Sequence, residues 1–314
     1  KTNNSRHSSS SSFIHSFIHS LKLPFFFDIP DLKKQTAMPM KTLREYVRQQ
    51  LCLWKSNNSN DSWTVDCDTN AVRYAISISF AGTDTVRGEP TWEWGLQHYV
   101  GGVGIADKIA VTRFIMSFPL FQDLRSNSFQ VCSTCPRTDE ITSFASVREY
   151  DTAAEQAKWC KWLRQGWHTM VDLLTLFLYH RESLPRLFTD KKYRADTRRL
   201  EQKFDKFEEK IDAWHQQILP SSTAGLHWYV HMVGVNPAHQ GKGQGKALMG
   251  QLNKLADASN RVMYLEAGEP NRVFYEKMGF RVQRTEYFVD PLDHSKEVDP
   301  FPLHLMTRHP NNSS

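Results

Sequence analysis

Apolar and polar positions recur along this chain with two periods, and the period of each stretch predicts its element. Lys41 to Trp54 reads as a short helix. Tyr74, Ile76, Ile78 and Phe80 alternate with Arg73, Ala75, Ser77 and Ser79, a period of two that predicts a half-buried strand. Glu89 to Gly104 is irregular and rich in Trp and Gly, and Ile105 to Leu124 reads as helix, marked by Ile109, Phe114 and Phe118. Ser128 to Cys132 and Ile141 to Glu149 are short strands. Between Thr152 and Pro220 comes a helical block. In its second half Tyr193, Leu200, Phe204, Phe207, Ile211, Trp214 and Ile218 fall, after Leu200, at alternating steps of three and four. Thr189-Asp190 can cap this helix and Pro220 ends it. The repeat is too short for a coiled coil, which leaves a helix packed on the domain.

The pattern sharpens after residue 226. His227 to Val235 is an apolar, aromatic and β-branched run that stops at Asn236-Pro237, where proline forces the preceding residue into an extended conformation. Next come alternate glycines, Gly241, Gly243 and Gly245, and then Leu248, Leu252 and Leu255 at helical spacing, up to Ser259-Asn260. This is a strand, a glycine turn and a helix. Val262 to Glu266 reads as another strand, and Arg281 to Val289 and Pro302 to Thr307 as the last two. Proline at 302 suits only the first residue of a strand.

The glycine turn has chemistry of its own. The first N–H groups of a helix lack partners within it, and the helix dipole makes that end partly positive. Glycines let main chain approach a large anion, so the turn suits a phosphate or pyrophosphate. A dinucleotide-binding turn would need glycine where Lys246 stands. A Walker loop would need glycine at Gln240 and a hydroxyl at Ala247. Both fail, whereas Gln240-Gly241-Lys242-Gly243-Gln244-Gly245 fits Gln/Arg-x-x-Gly-x-Gly/Ala at every fixed position.

With that motif the chain resembles the GCN5-related N-acetyltransferase (GNAT) superfamily, and within it the small-molecule-type members. A second match supports the resemblance: Asn271-Arg272-Val273-Phe274-Tyr275-Glu276-Lys277-Met278-Gly279-Phe280 is similar to the family's Asn-x-x-x-Tyr-Glu-Lys-x-Gly-Phe signature. The likeness covers residues 226 to 309. It implies an α/β fold, a central mixed, mostly antiparallel sheet flanked by helices. Residues 152–220 would then be a large helical insertion before the central strand, where the family has a short turn. It also implies acetyl-CoA as co-substrate and transfer of the acetyl group to an amine. Main-chain groups from Gly241 to Lys246, with Gln240, would cradle the diphosphate, and Val233 and Val235 would meet the pantetheine arm through backbone groups. A main-chain N–H near Val233 would serve the oxyanion.

The same resemblance makes Tyr275 the general acid. A phenol near pKa 10 is a poor acid toward a thiol near 8.5 in water, but it can donate a hydrogen bond to the developing thiolate. Phe274 and Met278 form the apolar stripe of that helix, and Tyr275 stands about 100° round from Phe274. Asn271 either contacts CoA or caps the helix. For the base, alternation on the strand puts His227, Tyr229, His231, Val233 and Val235 on one face. His231, Glu266 and a water chain are the options, imidazole having a suitable pKa near 6.5. An acyl-CoA-binding protein without catalysis, its acceptor site blocked by the insertion, is the alternative function.

Composition adds little. A net charge of +5 over 314 residues suits an anionic co-substrate and is too diffuse to imply nucleic acid. The resemblance implies a small-molecule or peptide amine as the acceptor and leaves its identity open. No apolar run approaches the roughly 18 residues that span a bilayer, and Met170 to Tyr179, the longest, reads as a buried helix segment. Five cysteines without framework spacing point to a reducing, cytoplasmic setting, and Cys132-Ser133-Thr134-Cys135 reads as two incidental thiols rather than a zinc or redox pair. Residues 1–40, with a serine run and no acid before Asp28, form a tail, a segment upstream of a start at Met38 or Met40, or an organellar targeting segment over residues 1–27. The domain then spans 41–310, with a frayed end at 311–314. Asn57 and Asn60 fit the glycosylation pattern and read as polar loop.

Overall fold

The computed structural model describes residues 62–64, 67–86, 88–89, 92–93, 108–110, 112–113, 116, 128–151, 189, 191–219, 226–289 and 300–311. The tail, the Lys41–Trp54 helix, Asn57, Asn60, Met170–Tyr179 and the first half of the helical block lie outside them. A seven-stranded sheet carries the fold, in the order β1-β2-β3-β4-β5-β7-β6. Its strands are β1 (Ser62–Thr64), β2 (Ser128–Thr134), β3 (Ile141–Asp151), β4 (Leu226–Val235), β5 (Met263–Gly268), β6 (Arg281–Phe288) and β7 (Phe301–Arg308). Every pairing is antiparallel except that of β4 with β5. This is the mixed, mostly antiparallel sheet expected. Pro302 is the second residue of β7, not the first, and costs no ladder bond on the β5 side, because β5 pairs with β7 only from Leu303 onward.

Helices cover both faces. On one, helix α3 (Gln244–Ala258) buries Leu248, Met249, Leu252 and Leu255 against Phe129, Val131, Ala145, Val147, Trp228, Val230 and Leu265. Helix α4 (Glu269–Lys277) adds Phe274 and Tyr275 to that core. The other face takes helix α1 (Thr69–Ala81) and helix α2 (Lys191–Ile218). Helix α2 is the second half of the helical block. It lays Phe207 on Phe288 and Leu303, and its end, with Trp214, Ile218 and the following Leu219, on Tyr229, Tyr264 and Leu305.

Two expectations fail here. Residues 73–80 form helix, not strand. Val72, Ala75 and Ile76 bury one helical stripe against Cys132, Phe144 and Met232, while Tyr74 stands 50% exposed. Asp68 starts the helix by accepting the Ala71 N–H at 2.8 Å. Apolar residues at neighbouring positions satisfy both periods, and the cap decides between them. Cys132 is not a free thiol either. It is bonded to Cys67, 65 residues away, and leaves Cys135 as the free cysteine among the described residues. That pairing withdraws two of the thiols that argued for a reducing compartment.

Close packing along β4 gives a first prediction. A Cβ at Gly234 would stand 2.4 Å from Cε1 of buried Phe144. Gly234→Ala is therefore expected to destabilise the domain by about 1–3 kcal/mol, read as a lowered urea midpoint with unchanged slope.

Candidate active site

The sheet comes apart at its centre. β4 pairs with β5 only at Trp228↔Met263 and Tyr229↔Tyr264. Beyond these, β4 stays paired to β3 as far as Val235, and β5 stays paired to β7 as far as Gly268. The strands thus diverge, and among the described residues the β5-facing edge of His231–Val235 meets no strand. Backbone donors and acceptors along such an edge need partners. An extended chain bearing amides fits there as a missing strand would.

The wedge opens toward the glycine turn. Asn236, 3% exposed, anchors its entry: Nδ2 donates to Glu140 Oε1 at 2.7 Å, and Oδ1 accepts the Ala238 N–H at 3.0 Å. Sequence reading treats Asn236 as a strand end only, since Glu140 is remote in the chain. Two side chains of the motif turn inward: Gln240 Nε2 donates to the Val235 carbonyl at 3.1 Å and Lys242 Nζ to the Ala238 carbonyl at 2.8 Å. Gly241 and Gly243 take φ of +73° and +83°, and a Cβ on either would meet nothing within 4 Å. Gly243 is the N-cap of α3 and supplies no side-chain cap, so the first N–H groups of the helix, at Gln244, Gly245 and Lys246, face outward. The turn is open and partly positive, and Gly241 and Gly243 place no side chain over it. It fits a diphosphate.

Helix α4 closes the other side. A Cβ at Gly245 would lie 3.4 Å from Val235 Cγ2 and 3.5 Å from Phe274 Cζ, so the end of β4, the start of α3 and α4 converge. Next to Phe274, the ring of Tyr275 rests 5.1 Å from it and 5.9 Å from Phe280. It therefore packs with the stripe it was expected to stand clear of. Burial, and then the charge of Glu89, raise the Tyr275 pKa, which keeps the phenol protonated as a donor. Asn271 does not cap α4: the cap is Gly268, and Asn271 lies within the first turn, half-buried. Proline is tolerated at the start of a helix, so Pro270 does not delay it.

The candidate bases separate. The pairing of β3 with β4 shifts register so that Val230 faces Val147 and Met232 faces Ser146, leaving His231 as the extra residue of a bulge. Faces exchange there: Tyr229 packs toward α2, whereas Val233 packs into the α3 core. The single face expected for residues 227 to 235 is thus broken at His231, which is half-buried with its ring 5.3 Å from Tyr229. Glu266 lies on β5 beyond the last β4 contact, on the α2 face, its Oε1 out of contact with solvent. Burial pushes its carboxyl up to about 7, against the pull of the neighbouring Tyr264 and Tyr229 phenols, with Asp212 on α2 pushing the same way as burial. A carboxylate so placed is a base near neutral pH. Among the described residues no group of three His, Cys, Asp or Glu is placed to hold a metal, and no helix is long and apolar enough to cross a membrane.

Residues 208–282, from the end of α2 through the wedge, the turn and α4, match the family model described as Acetyltransferase (GNAT) domain. The match spans about a quarter of the chain and covers the part that holds the wedge and the turn. Solved structures similar to it include arylalkylamine N-acetyltransferase 2 from Aedes aegypti, at 16% identity, 81% of this chain, 100% of that one and a TM-score of 0.43. Polyamine N-acetyltransferase from Drosophila melanogaster shows 12% identity, 80% and 100% coverage and a TM-score of 0.43. A structure titled histone acetyltransferase HPA2 and related acetyltransferase, from Corynebacterium glutamicum, shows 14%, 81%, 98% and 0.42. The GNAT fold supports acyl transfer from acetyl-CoA, and the matched segment contains the wedge and the glycine turn.

Proposed function

We propose that this chain transfers the acetyl group of acetyl-CoA directly to the primary amine of a small-molecule or peptide acceptor. The parting of β4 from β5 in front of an uncapped helix is the observation that carries the reading. Main-chain N–H groups of Gly241 to Lys246 bind the diphosphate, with Gln240 and Lys242 bracing the turn from within. The strand-free edge at Val233 and Val235, where Gln240 already bonds to the Val235 carbonyl, meets the pantetheine amides, Asn271 contributes from α4, and an N–H near Val233 faces the carbonyl oxygen. Glu266, ionised above about pH 7, takes the proton of the acceptor ammonium. The amine nitrogen then bonds to the thioester carbon, the C–S bond breaks as Tyr275 gives its proton to the departing sulfur, and the second proton leaving the nitrogen returns to the Tyr275 phenolate. His231, at the bulge, lines the same wedge and is the second candidate for the base.

A panel of amines scored for CoA release, in the reducing-agent-free full chain, tests this. Release with at least one amine is the expected result. Acetyl-CoA bound without release across a broad panel would overturn it. Tyr275→Phe is expected to lose about 100-fold in kcat, the scale of one acid–base group, with acetyl-CoA affinity held within about twofold. Unchanged kcat would remove Tyr275 from the chemistry.

A further inference from the structure

Helix α2 belongs to the stretch by which this chain departs from the family plan, and it delivers one imidazole into the sheet. His215 is 3% exposed. Its ring stacks on Tyr264 at 4.1 Å and 8°, and lies 5.2 Å from Tyr229 and 4.6 Å from Tyr150. Its Nε2 shares a 2.6 Å hydrogen bond with Nε2 of His227, itself fully buried. One ring must donate and the other accept, so the pair fits two neutral imidazoles of opposite tautomer. Tyr150 covers His227 from β3 at 5.6 Å. Tyr264 and Tyr229 are the two phenols beside Glu266, and α2 also brings Asp212 toward that carboxyl.

These contacts run from the inserted helix to the ring two residues before the carboxyl on β5. Tyr264, fully buried between His215 and the sheet, is held on the face that Glu266 shares, and the stacked ring occupies space that water would enter. We propose that His215 is a positioning residue for Glu266: stacked on Tyr264 and bonded to His227, it holds the two phenols in place and keeps the carboxyl dry. The inserted helix thereby sets the proton affinity of the group that deprotonates the acceptor. The effect on rate rests on Glu266 being the base; the effect on the carboxyl itself does not. The groups facing Glu266 are Tyr264 on β5, Tyr229 on β4 and Asp212 on α2, with Tyr150, His215 and His227 behind them. Of these, His215 is held neutral by burial and by His227.

The test is a pH titration of the Glu266 carboxyl by difference infrared spectroscopy on the full chain, with Glu266→Gln as the blank. The wild-type midpoint is expected near 7. His215→Ala, which lets water in, should lower it by about one pH unit or more, and His215→Phe, which keeps the stacked ring, should restore most of the difference. An unchanged midpoint in His215→Ala would overturn the proposal. If the alanine variant fails to fold, as judged by thermal melting, His215→Gln carries the same expectation, since it can still bond to His227 but cannot stack. The acid limb of kcat/KM is recorded in parallel. A carboxyl midpoint that moves while the limb stays would reject Glu266 as the base and leave the positioning role intact.

Discussion

Glu266→Gln is expected to slow acetyl transfer by at least about 100-fold and, at pH 8, to make the protein more stable than the wild type. The loss of rate follows from removing the base; the gain in stability follows from the raised pKa. Folded protein holds the Glu266 proton up to about pH 7, whereas an unfolded chain releases it above the ordinary value of 4.5. Between those values the folded state binds more protons, so stability falls as pH rises through the window. At pH 8 the ionised carboxyl costs about 3 kcal/mol, which an uncharged amide avoids. Thermal unfolding at pH 5 and pH 8 reads this directly: the two proteins should differ little at the lower pH and clearly at the higher. A variant that is slower but gains nothing at pH 8 would show that the carboxyl is not held in its protonated form. His215 acts with the opposite sign. Folding keeps it neutral down to about 3, while unfolded histidine takes a proton below 6.5, so its contribution is lost as pH falls through that range.

The second large effect is on binding. Gly243→Asp is expected to weaken acetyl-CoA by about 100-fold or more while leaving the melting temperature nearly unchanged. A side chain at this position meets nothing within 4 Å, so nothing is overpacked. A positive φ costs a non-glycine residue about 1–2 kcal/mol. Aspartate tolerates that conformation better than most residues, and at this position it stands beside the first helical N–H groups. Those are the donors the diphosphate needs, and the carboxylate adds a like charge beside it. Isothermal titration with acetyl-CoA, alongside a thermal melt, separates the two effects. Affinity retained in a folded variant would mean that the turn does not hold the diphosphate.

Legibility in the sequence follows how local each feature is. The glycine turn reads correctly because its signals are contiguous: Asn236-Pro237 ends a strand and alternate glycines leave a helix uncapped, whereas in α4 the Phe274 and Met278 stripe is legible but the start before Asn271 and the packing of Tyr275 are not. Helix α1 does not, because residues 72–80 carry apolar groups at both periods and only the Asp68 cap breaks the tie. The bulge at His231 is invisible for a different reason. It is a mismatch between β4 and β3, and no strand records its partner's register in its own residues. Cys67 with Cys132, Asn236 with Glu140, and His215 with Tyr264 are likewise contacts between distant segments. Glu266 can be singled out as a carboxylate at a strand end, but its high proton affinity comes from the compartment that α2 closes over it.

The separation of β4 from β5 also bears on how such a protein changes over time. The edge it leaves open is made of peptide units, which every amino acid possesses, so Val233 or Val235 can be exchanged for residues of similar bulk without closing it. Away from that edge, α2 makes its contacts through side chains, such as Phe204, whose ring stacks on Trp92 at 4.9 Å. Mutation there alters packing on that face while the peptide edge of β4 is inherited intact.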